Sequence, residues 1–229
     1  MDDWRYSPPD GPLRVIYDDR DLVAVDKPSG LLSIPGRGEE LVDSALQRVI
    51  LRWPTAQAVH RLDLDTSGLL VFATRGKAAR SLMAQLRERA VQKRYVAWVD
   101  GELREEQGLI DLPLSREAGR PRSFVDPEAG RPSRTRYAVA ARAPGRTLLD
   151  LWPETGRSHQ LRVHLMSLGH VILGDRFYGD DRVAAAAPRL MLHAQSLRLA
   201  HPFSGAPLQL EAPPPAEFSS LLSGAAGRS

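Results

Sequence analysis

The sequence predicts an α+β fold built on a mostly antiparallel β-sheet. Short runs with strand-like composition outnumber runs with helical spacing of apolar residues, and several strand-like runs follow one another directly. Glycine, proline and aspartate separate these runs at short intervals, as expected for turns between antiparallel neighbours. A doubly wound parallel sheet would require a helix after each strand, and the chain lacks that alternation.

The predicted strands are aliphatic, aromatic or alternating runs that end at turn-forming residues. The first two enclose the acidic turn in "YDDRD", and a Pro-Ser-Gly sequence ends the second. The predicted strands lie at 13–30 for this pair, then at 68–75, 93–101, 108–114, 135–142, 147–153, 190–202 and 207–213.

Three segments carry apolar residues at the spacing of an amphipathic helix, namely 42–52, 76–92 and 157–169. The predicted apolar stripe of the second helix consists of Ala79, Leu82, Met83, Leu86 and Ala90. The predicted apolar face of the third consists of Leu161, Leu165 and Leu168. Gly169 is predicted to end that helix, and the chain is predicted to fray from Glu217 onwards.

The composition of the 229-residue chain excludes several kinds of site. It contains no cysteine, which rules out disulfides and thiolate metal centres. No apolar run approaches the roughly 18 residues of a membrane span. The acidic, proline-rich start "MDDWRYSPPDGP" is unlike a signal peptide. We therefore expect a soluble cytoplasmic protein, with a monomer as the default state.

The positive charge of the chain is almost entirely arginine. The net charge is +3, and only three of the 31 cationic residues are lysines. Arginine suits bidentate phosphate contacts and stacking on bases, although the codon bias of a GC-rich genome would also produce the excess. The arginines in or beside segment 115–133 are Arg116, Arg120, Arg122, Arg131, Arg134 and Arg136. This segment is predicted to be either a flexible loop that grips a phosphate backbone or a solvated hairpin loop.

The stretch "HRLDLDTSG" at 60–68 places an arginine and two aspartates between apolar runs. Asp63 and Asp65 are two positions apart, so an extended chain would direct both carboxylates to the same side. That arrangement would suit a glycoside hydrolase pair, and a turn or a solvated edge is the alternative.

Other chemistries lack the residues that they require. Ser67 does not lie in the Gly-x-Ser-x-Gly turn of hydrolases. His159 and His164 are five positions apart, about 140° around a helix, and so do not share a metal-binding side. The sequence has no glycine-rich phosphate loop and no dinucleotide fingerprint. We therefore expect neither a metal nor a cofactor.

The stretch "HRLDLDTSGLLVFA" resembles the signature of the RluA family of RNA pseudouridine synthases. Further stretches resemble family blocks in the family's order: "VDKPSGLLSIPG", "KRYVAWVDG", "GRSHQLRVHLMSLGHVILGDRFYG" and "RLMLHAQSLRLAHP". The resemblance implies a catalytic domain over 13–215, with an N-terminal extension at 1–12, a C-terminal tail at 216–229 and no S4 domain. It also implies the mixed sheet of pseudouridine synthases, with flanking helices and RNA-gripping loops.

The resemblance assigns roles to four residues, and Leu192 is a further candidate. It implies that Asp63 is the catalytic aspartate and that Arg61 enters the RNA stack in place of the flipped base. It implies that Tyr95 and Arg162 complete the site, with Arg162 favouring the ionised form of Asp63. The alternatives are a core tyrosine and a surface arginine. Leu192 is predicted either to wall the uracil pocket or to pack in the core.

The resemblance also implies the substrate. It is closest to the short branch of the family, which modifies a 23S rRNA hairpin loop and the anticodon stem-loop of certain tRNAs. One alternative is a family relative that acts on a different tRNA or rRNA uridine. Another is a non-catalytic RNA-binding factor on the same scaffold, although such a protein would have no use for a buried acid.

Overall fold

A computed structural model of the chain describes residues 5–222, which form two compact units. The first unit contains residues up to Val91 together with Ser196–Ala212, and the second contains Gln92–Gln195 and the residues from Pro213. The boundaries of the catalytic domain stay a prediction. Within residues 5–222, no helix combines the length and the apolar character needed to cross a membrane.

The elements of the described chain are mostly strands, as the sequence predicts. The strands are β1 Arg14–Asp18, β2 Leu22–Lys27, β3 Gln57–Ala58, β4 Ser67–Ala73, β5 Gln92–Asp100, β6 Gln107–Asp111, β7 Leu114–Arg116, β8 Ser123–Val125, β9 Arg134–Ala143, β10 Arg146–Pro153, β11 Leu192–Ala200 and β12 Pro207–Glu211. The helices are α1 Ala45–Ile50, α2 Gly76–Arg87, α3 Gln160–Ser167, α4 Asp181–Ala185 and α5 Ala216–Ser220, with a 3₁₀ turn at Glu39–Leu41.

In the first unit, β2 lies between β1 and β4, and both pairings are antiparallel. The acidic turn between β1 and β2 is held by Asp19, whose carboxylate accepts the amides of Asp21 and Leu22 at 2.8 and 2.9 Å. β12 pairs antiparallel with Ser196–Ala200 of β11. The sheet residues and α2 share one apolar core, which includes Leu22, Ala24, Leu69, Val71 and Leu82.

The apolar stripe predicted for α2 is only partly present. Ala79 and Leu82 are buried, but Met83 is 45% exposed and Ala90 is exposed. Ala90 lies outside the stripe because the helix ends at Arg87 and the backbone turns through Arg89, which has φ 59°. A non-glycine residue in the left-handed region gives little sequence signal of a helix end.

In the second unit, the strand order is β5, β10, β9, β6, and all three pairings are antiparallel. The predicted α+β fold with a mostly antiparallel sheet is therefore confirmed. Trp98 is fully buried at the centre of the core, and its indole Nε1 donates to the carbonyl oxygen of Phe218 at 2.9 Å. Phe218 and Leu221 are themselves buried. The prediction that the chain frays from Glu217 is thus wrong up to residue 222, and residues 223–229 lie outside the described part.

The arginine-rich segment 115–133 is a hairpin rather than an irregular loop. β7 and β8 pair antiparallel, and Leu114 forms a further bridge with Arg131. Ser123 is 5% exposed, and its amide donates to the Tyr178 hydroxyl at 2.8 Å. This contact ties the hairpin to the segment that follows α3.

The fully buried His164 of α3 is expected to make the stability of the second unit depend on pH. Its ring nitrogens lie 2.9 Å from Thr135 Oγ1 and 3.1 Å from the carbonyl oxygen of Leu112. Burial lowers the pKa of His164 below its ordinary 6.5, which favours the neutral imidazole in the folded state. The unfolded chain therefore binds the additional proton first, and stability present above pH 6.5 is lost as the pH falls toward the lowered pKa.

We expect the free energy of unfolding of the wild type to fall more steeply between pH 7.5 and 5 than that of H164Q. Glutamine keeps a donor and an acceptor but does not titrate in this range. The measurement is urea unfolding at several pH values. Parallel pH profiles for the two proteins would show that His164 is not the group responsible.

Candidate active site

The loop that carries Asp63 lies between β3 and β4 and turns sharply at its centre. The Thr66 amide donates to the Asp63 carbonyl oxygen at 3.2 Å, which closes a four-residue turn. Leu62 is 6% exposed, whereas Arg61 is exposed and Asp63 is half-buried. The extended arrangement considered for Asp63 and Asp65 is wrong, because the turn separates them.

Lys27, the last residue of β2, holds this loop by its main chain. The lysine is fully buried, and its Nζ donates to the carbonyl oxygens of Leu31, Pro28 and Leu64 at 2.7, 2.9 and 3.0 Å. An ammonium group has three donors, and such hydrogen bonds offset the cost of burying its charge. Because Leu64 directly follows Asp63, the contact fixes the backbone beside the predicted catalytic carboxylate.

Two serines that follow Lys27 also hold the loop that carries Asp63. The Ser33 hydroxyl donates to the Leu62 carbonyl oxygen at 2.7 Å and accepts the Leu62 amide at 3.0 Å. The Ser29 hydroxyl donates to the carbonyl oxygen of Asp65 at 2.7 Å. No role was predicted for these side chains from the sequence. A lysine at the end of an apolar strand is the one signal that could have pointed to them.

Tyr95 lies near the start of β5, opposite Leu151 of β10. It is half-buried and packs against the apolar core of the second unit. On the neighbouring position, Arg94 makes two hydrogen bonds of 2.9 Å to the Asp150 carboxylate across the strand pair. Tyr95 is therefore set on a rigid strand and is not wholly enclosed in the core.

Arg162, in the first turn of α3, is 2% exposed, so the surface alternative for it is wrong. Its Nε and Nη2 donate to the two carboxylate oxygens of Asp175 at 2.7 and 2.6 Å. Asp175 is fully buried and also accepts the amides of Phe177 and Tyr178 at 2.9 and 3.1 Å. A bidentate pair with further donors on the carboxylate is the geometry in which a buried ion pair is best satisfied.

Two aromatic rings complete the surroundings of the Arg162 guanidinium. The rings of Phe177 and Tyr178 lie 5.1 and 5.2 Å from its central carbon, within the range of cation–π contacts. The Tyr178 hydroxyl also lies 2.8 Å from His159 Nδ1, just before α3. Asp175 was not predicted as part of the site, although it lies in the stretch "GDRFYG" that follows α3.

The predicted site residues fall in both units. Arg61 and Asp63 belong to the first unit. The second unit contains Tyr95, Arg162 and Leu192. Leu192, the first residue of β11, is 3% exposed and belongs to the second unit's core, which fits the packing alternative. Its contribution to a uracil pocket stays a prediction.

Within residues 5–222, the group with metal-ligand character is Asp19, Asp21 and His201 in the first unit. The Asp19 carboxylate is already occupied by protein donors, among them the Tyr17 hydroxyl and His201 Nε2, both at 2.7 Å. Burial raises the pKa of Asp19, but the hydrogen bonds it accepts outweigh this and lower its pKa to about 2. We therefore interpret the cluster as a support of the turn between β1 and β2.

Comparison with known proteins gives consistent matches over most of the chain. The profile of the family described as RNA pseudouridylate synthase matches residues 21–167. The Dual-specificity RNA pseudouridine synthase RluA of Escherichia coli (strain K12) is 48% identical over 211 residues, which cover 91% of this chain and 96% of the relative. The protein of the same name from Pasteurella multocida is 46% identical over 212 residues, covering 91% and 97%.

Solved structures agree with the fold. Human RNA Pseudouridylate Synthase Domain Containing 1 matches with a TM-score of 0.73 and 29% identity, over 90% of this chain and 86% of that one. Human RNA Pseudouridylate Synthase Domain Containing 4 matches with a TM-score of 0.74 at 24% identity, over 92% of each chain, which supports the fold. The chain accordingly belongs to the RNA pseudouridylate synthase family, in its RluA branch, and is an isomerase that converts uridine in RNA to pseudouridine.

Proposed function

We propose that this enzyme has two kinds of substrate, a 23S rRNA hairpin loop and a tRNA anticodon stem-loop, and that it acts in the cytoplasm as a monomer. The observation that carries the proposal is the 48% identity to relatives named as dual-specificity enzymes, over nearly the full length of both chains. A family relative that modifies a different uridine is the second candidate. The test below separates the two.

The proposed reaction needs no cofactor because uridine and pseudouridine have the same atoms. The N1–C1′ bond breaks, the uracil turns over, the C5–C1′ bond forms, and the C5 proton is lost while N1 gains one. We propose that Asp63 acts on the sugar at C1′, as a nucleophile or as a base. In support, Lys27, Ser29 and Ser33 hold the backbone on both sides of it.

We propose supporting roles for Tyr95, Arg162 and Leu192 in the same reaction. Tyr95 stacks on the extruded uracil or helps to remove the C5 proton, and its half-buried phenol on a rigid strand suits either task. Arg162 provides a positive charge whose orientation Asp175 fixes through two hydrogen bonds. Leu192 provides apolar surface against the base.

Arg61 is proposed to fill the space that the flipped uridine leaves in the RNA stack, and its exposure in the Asp63 loop is compatible with that role. Flipping a stacked base costs a few kcal/mol, and a planar guanidinium in the gap offsets part of this. We therefore expect R61A to lose more activity on a hairpin than on an unstructured strand of the same loop sequence. Lysine should rescue poorly, because an ammonium group does not stack as a guanidinium does.

The measurement for Arg61 is the rate of pseudouridine formation on both RNAs at subsaturating concentration. The matched control is R75A, which removes an exposed arginine before α2 and should affect both RNAs little. Equal fractional losses for R61A on the two RNAs would mean that Arg61 does not fill the stack.

The proposed substrates are tested with the purified protein and two stem-loop transcripts that carry tritium at C5 of uridine. One transcript is a 23S rRNA hairpin and the other a tRNA anticodon stem-loop, and an unrelated stem-loop is the control. Tritium should be released from the first two and not from the third. Release from one alone, or from neither, would overturn the dual specificity.

A further inference from the structure

Lys93 is a half-buried lysine to which the proposed mechanism assigns no role. It lies at the start of β5, two positions before Tyr95, and therefore on the same side of the strand. Across the described residues, its ammonium group makes no hydrogen bond or ion pair. Burial alone lowers the pKa of Lys93 from its ordinary 10.5, so no carboxylate compensates for the lost hydration.

Partial burial removes water from a charged group, and hydrogen-bond acceptors or an opposite charge compensate for that loss. Lys27 shows how this chain treats a structural lysine, with three carbonyl acceptors around its ammonium group. Among residues 5–222, Lys93 has no such acceptors. The contrast indicates that the acceptor of Lys93 is not one of the described residues, which leaves its ammonium group available to an external anion.

The surroundings of Lys93 leave room for that partner. Gly156, in the loop between β10 and α3, is exposed, and a Cβ added to it would lie 3.5 Å from Lys93 Nζ. The ammonium group thus lies beside a position that is open to solvent and that carries no side chain. The next residue is Arg157, whose Nε is buried without a hydrogen-bond partner in the described part of the chain.

We propose that Lys93 binds one phosphodiester group of the RNA substrate beside Gly156. A phosphate oxygen supplies the anionic acceptor that the half-buried Lys93 lacks among residues 5–222, and Arg157 adds positive charge to the same loop. The proposal depends on the proposed function, because the anion that binds Lys93 is assumed to be a phosphate group of the RNA substrate. A role for Lys93 in the chemical step is the competing explanation.

The test compares wild type with K93M, which removes the charge and keeps the aliphatic stem, and with K93R, which keeps the charge. The exposed Lys77 gives the matched control K77M. RNA affinity is measured against salt concentration, and then with hairpins in which one phosphate at a time is replaced by a neutral methylphosphonate. K93M should bind about tenfold more weakly, with a salt slope smaller by about 0.7–0.9, as for the loss of one phosphate contact.

One methylphosphonate position should weaken binding by the wild type several-fold and leave K93M unaffected, and K93R should retain most of the affinity. A K93M protein with wild-type affinity and salt slope but a reduced rate at saturating RNA would overturn the proposal in favour of a chemical role. So would equal sensitivity of both proteins to every methylphosphonate.

Two further measurements keep this result interpretable. The thermal stability of K93M should equal or exceed that of the wild type, because the substitution removes a half-buried charge that has no partner among the described residues. If K93M does not fold, the neutral K93Q gives the same readout. Tritium release by the wild type is measured in the same preparation, so that failure of the isomerase assay is seen separately from failure of the phosphate contact.

Discussion

Replacing Asp63 with Asn is expected to abolish pseudouridine formation while RNA binding stays within about tenfold of the wild type, roughly 1.4 kcal/mol. The substitution keeps the shape and the hydrogen-bonding capacity of the side chain but removes the charge that we propose acts on the sugar. The loop should keep its position, because its attachments run through main-chain atoms. Lys27 and Ser29 hold the carbonyl oxygens of Leu64 and Asp65, which the substitution leaves intact.

The chain offers a control for this experiment within the same loop. D65N makes the same chemical change two residues away, and the Asp65 carbonyl oxygen that binds Ser29 is unaffected. D65N should therefore retain most of the activity. Tritium release and filter binding measure the two quantities. A D63N protein that formed pseudouridine at a near-normal rate would end the proposed mechanism.

Breaking the Arg162–Asp175 pair is expected to give the largest loss of stability. D175N would leave the guanidinium of Arg162 buried, at 2% exposure, without its carboxylate. Removal of one partner from a buried ion pair typically costs about 3–5 kcal/mol, because an uncompensated charge remains. The free energy of unfolding, measured with urea, should fall by about that amount.

The matched control for D175N is D150N, which breaks the pair of Asp150 with Arg94 on the sheet. The Arg94 side chain is 40% exposed, so water replaces much of the lost interaction and the cost should be below about 1 kcal/mol. A D175N protein no less stable than D150N would show that the buried pair does not anchor α3. Activity measured well below the unfolding transition should still fall for D175N, because Arg162 would lose its fixed orientation.

The parts of the fold that could be predicted are those that local sequence patterns determine. The strand pair at the start of the chain, α1 and β4 follow from apolar runs bounded by turn residues and by the helix-capping Ser44. Gly169, with φ 82°, ends the third predicted helix as expected. The end of α2 was missed because Arg89, and not a glycine, occupies the left-handed conformation there.

The supports of the candidate site could not be predicted, because they depend on residues far apart in the chain. Asp175 lies 13 positions beyond Arg162, in a loop whose path no local pattern specifies. Lys27 reaches a carbonyl 37 positions away. Residue types that usually lie on the surface are buried in both cases, and only the tertiary contacts explain why. The roles of Asp63 and Tyr95 came from the family resemblance rather than from spacing or periodicity.

The most direct test of the central claim is a map of pseudouridines in total RNA from cells that lack this gene, compared with the parent strain. We predict the loss of one pseudouridine in a 23S rRNA hairpin loop and of one in the anticodon stem-loop of certain tRNAs. Both should return when the wild-type gene is restored, and neither when the D63N variant is restored. An unchanged map, or full restoration by D63N, would contradict the assignment of this chain as an Asp63-dependent dual-specificity enzyme.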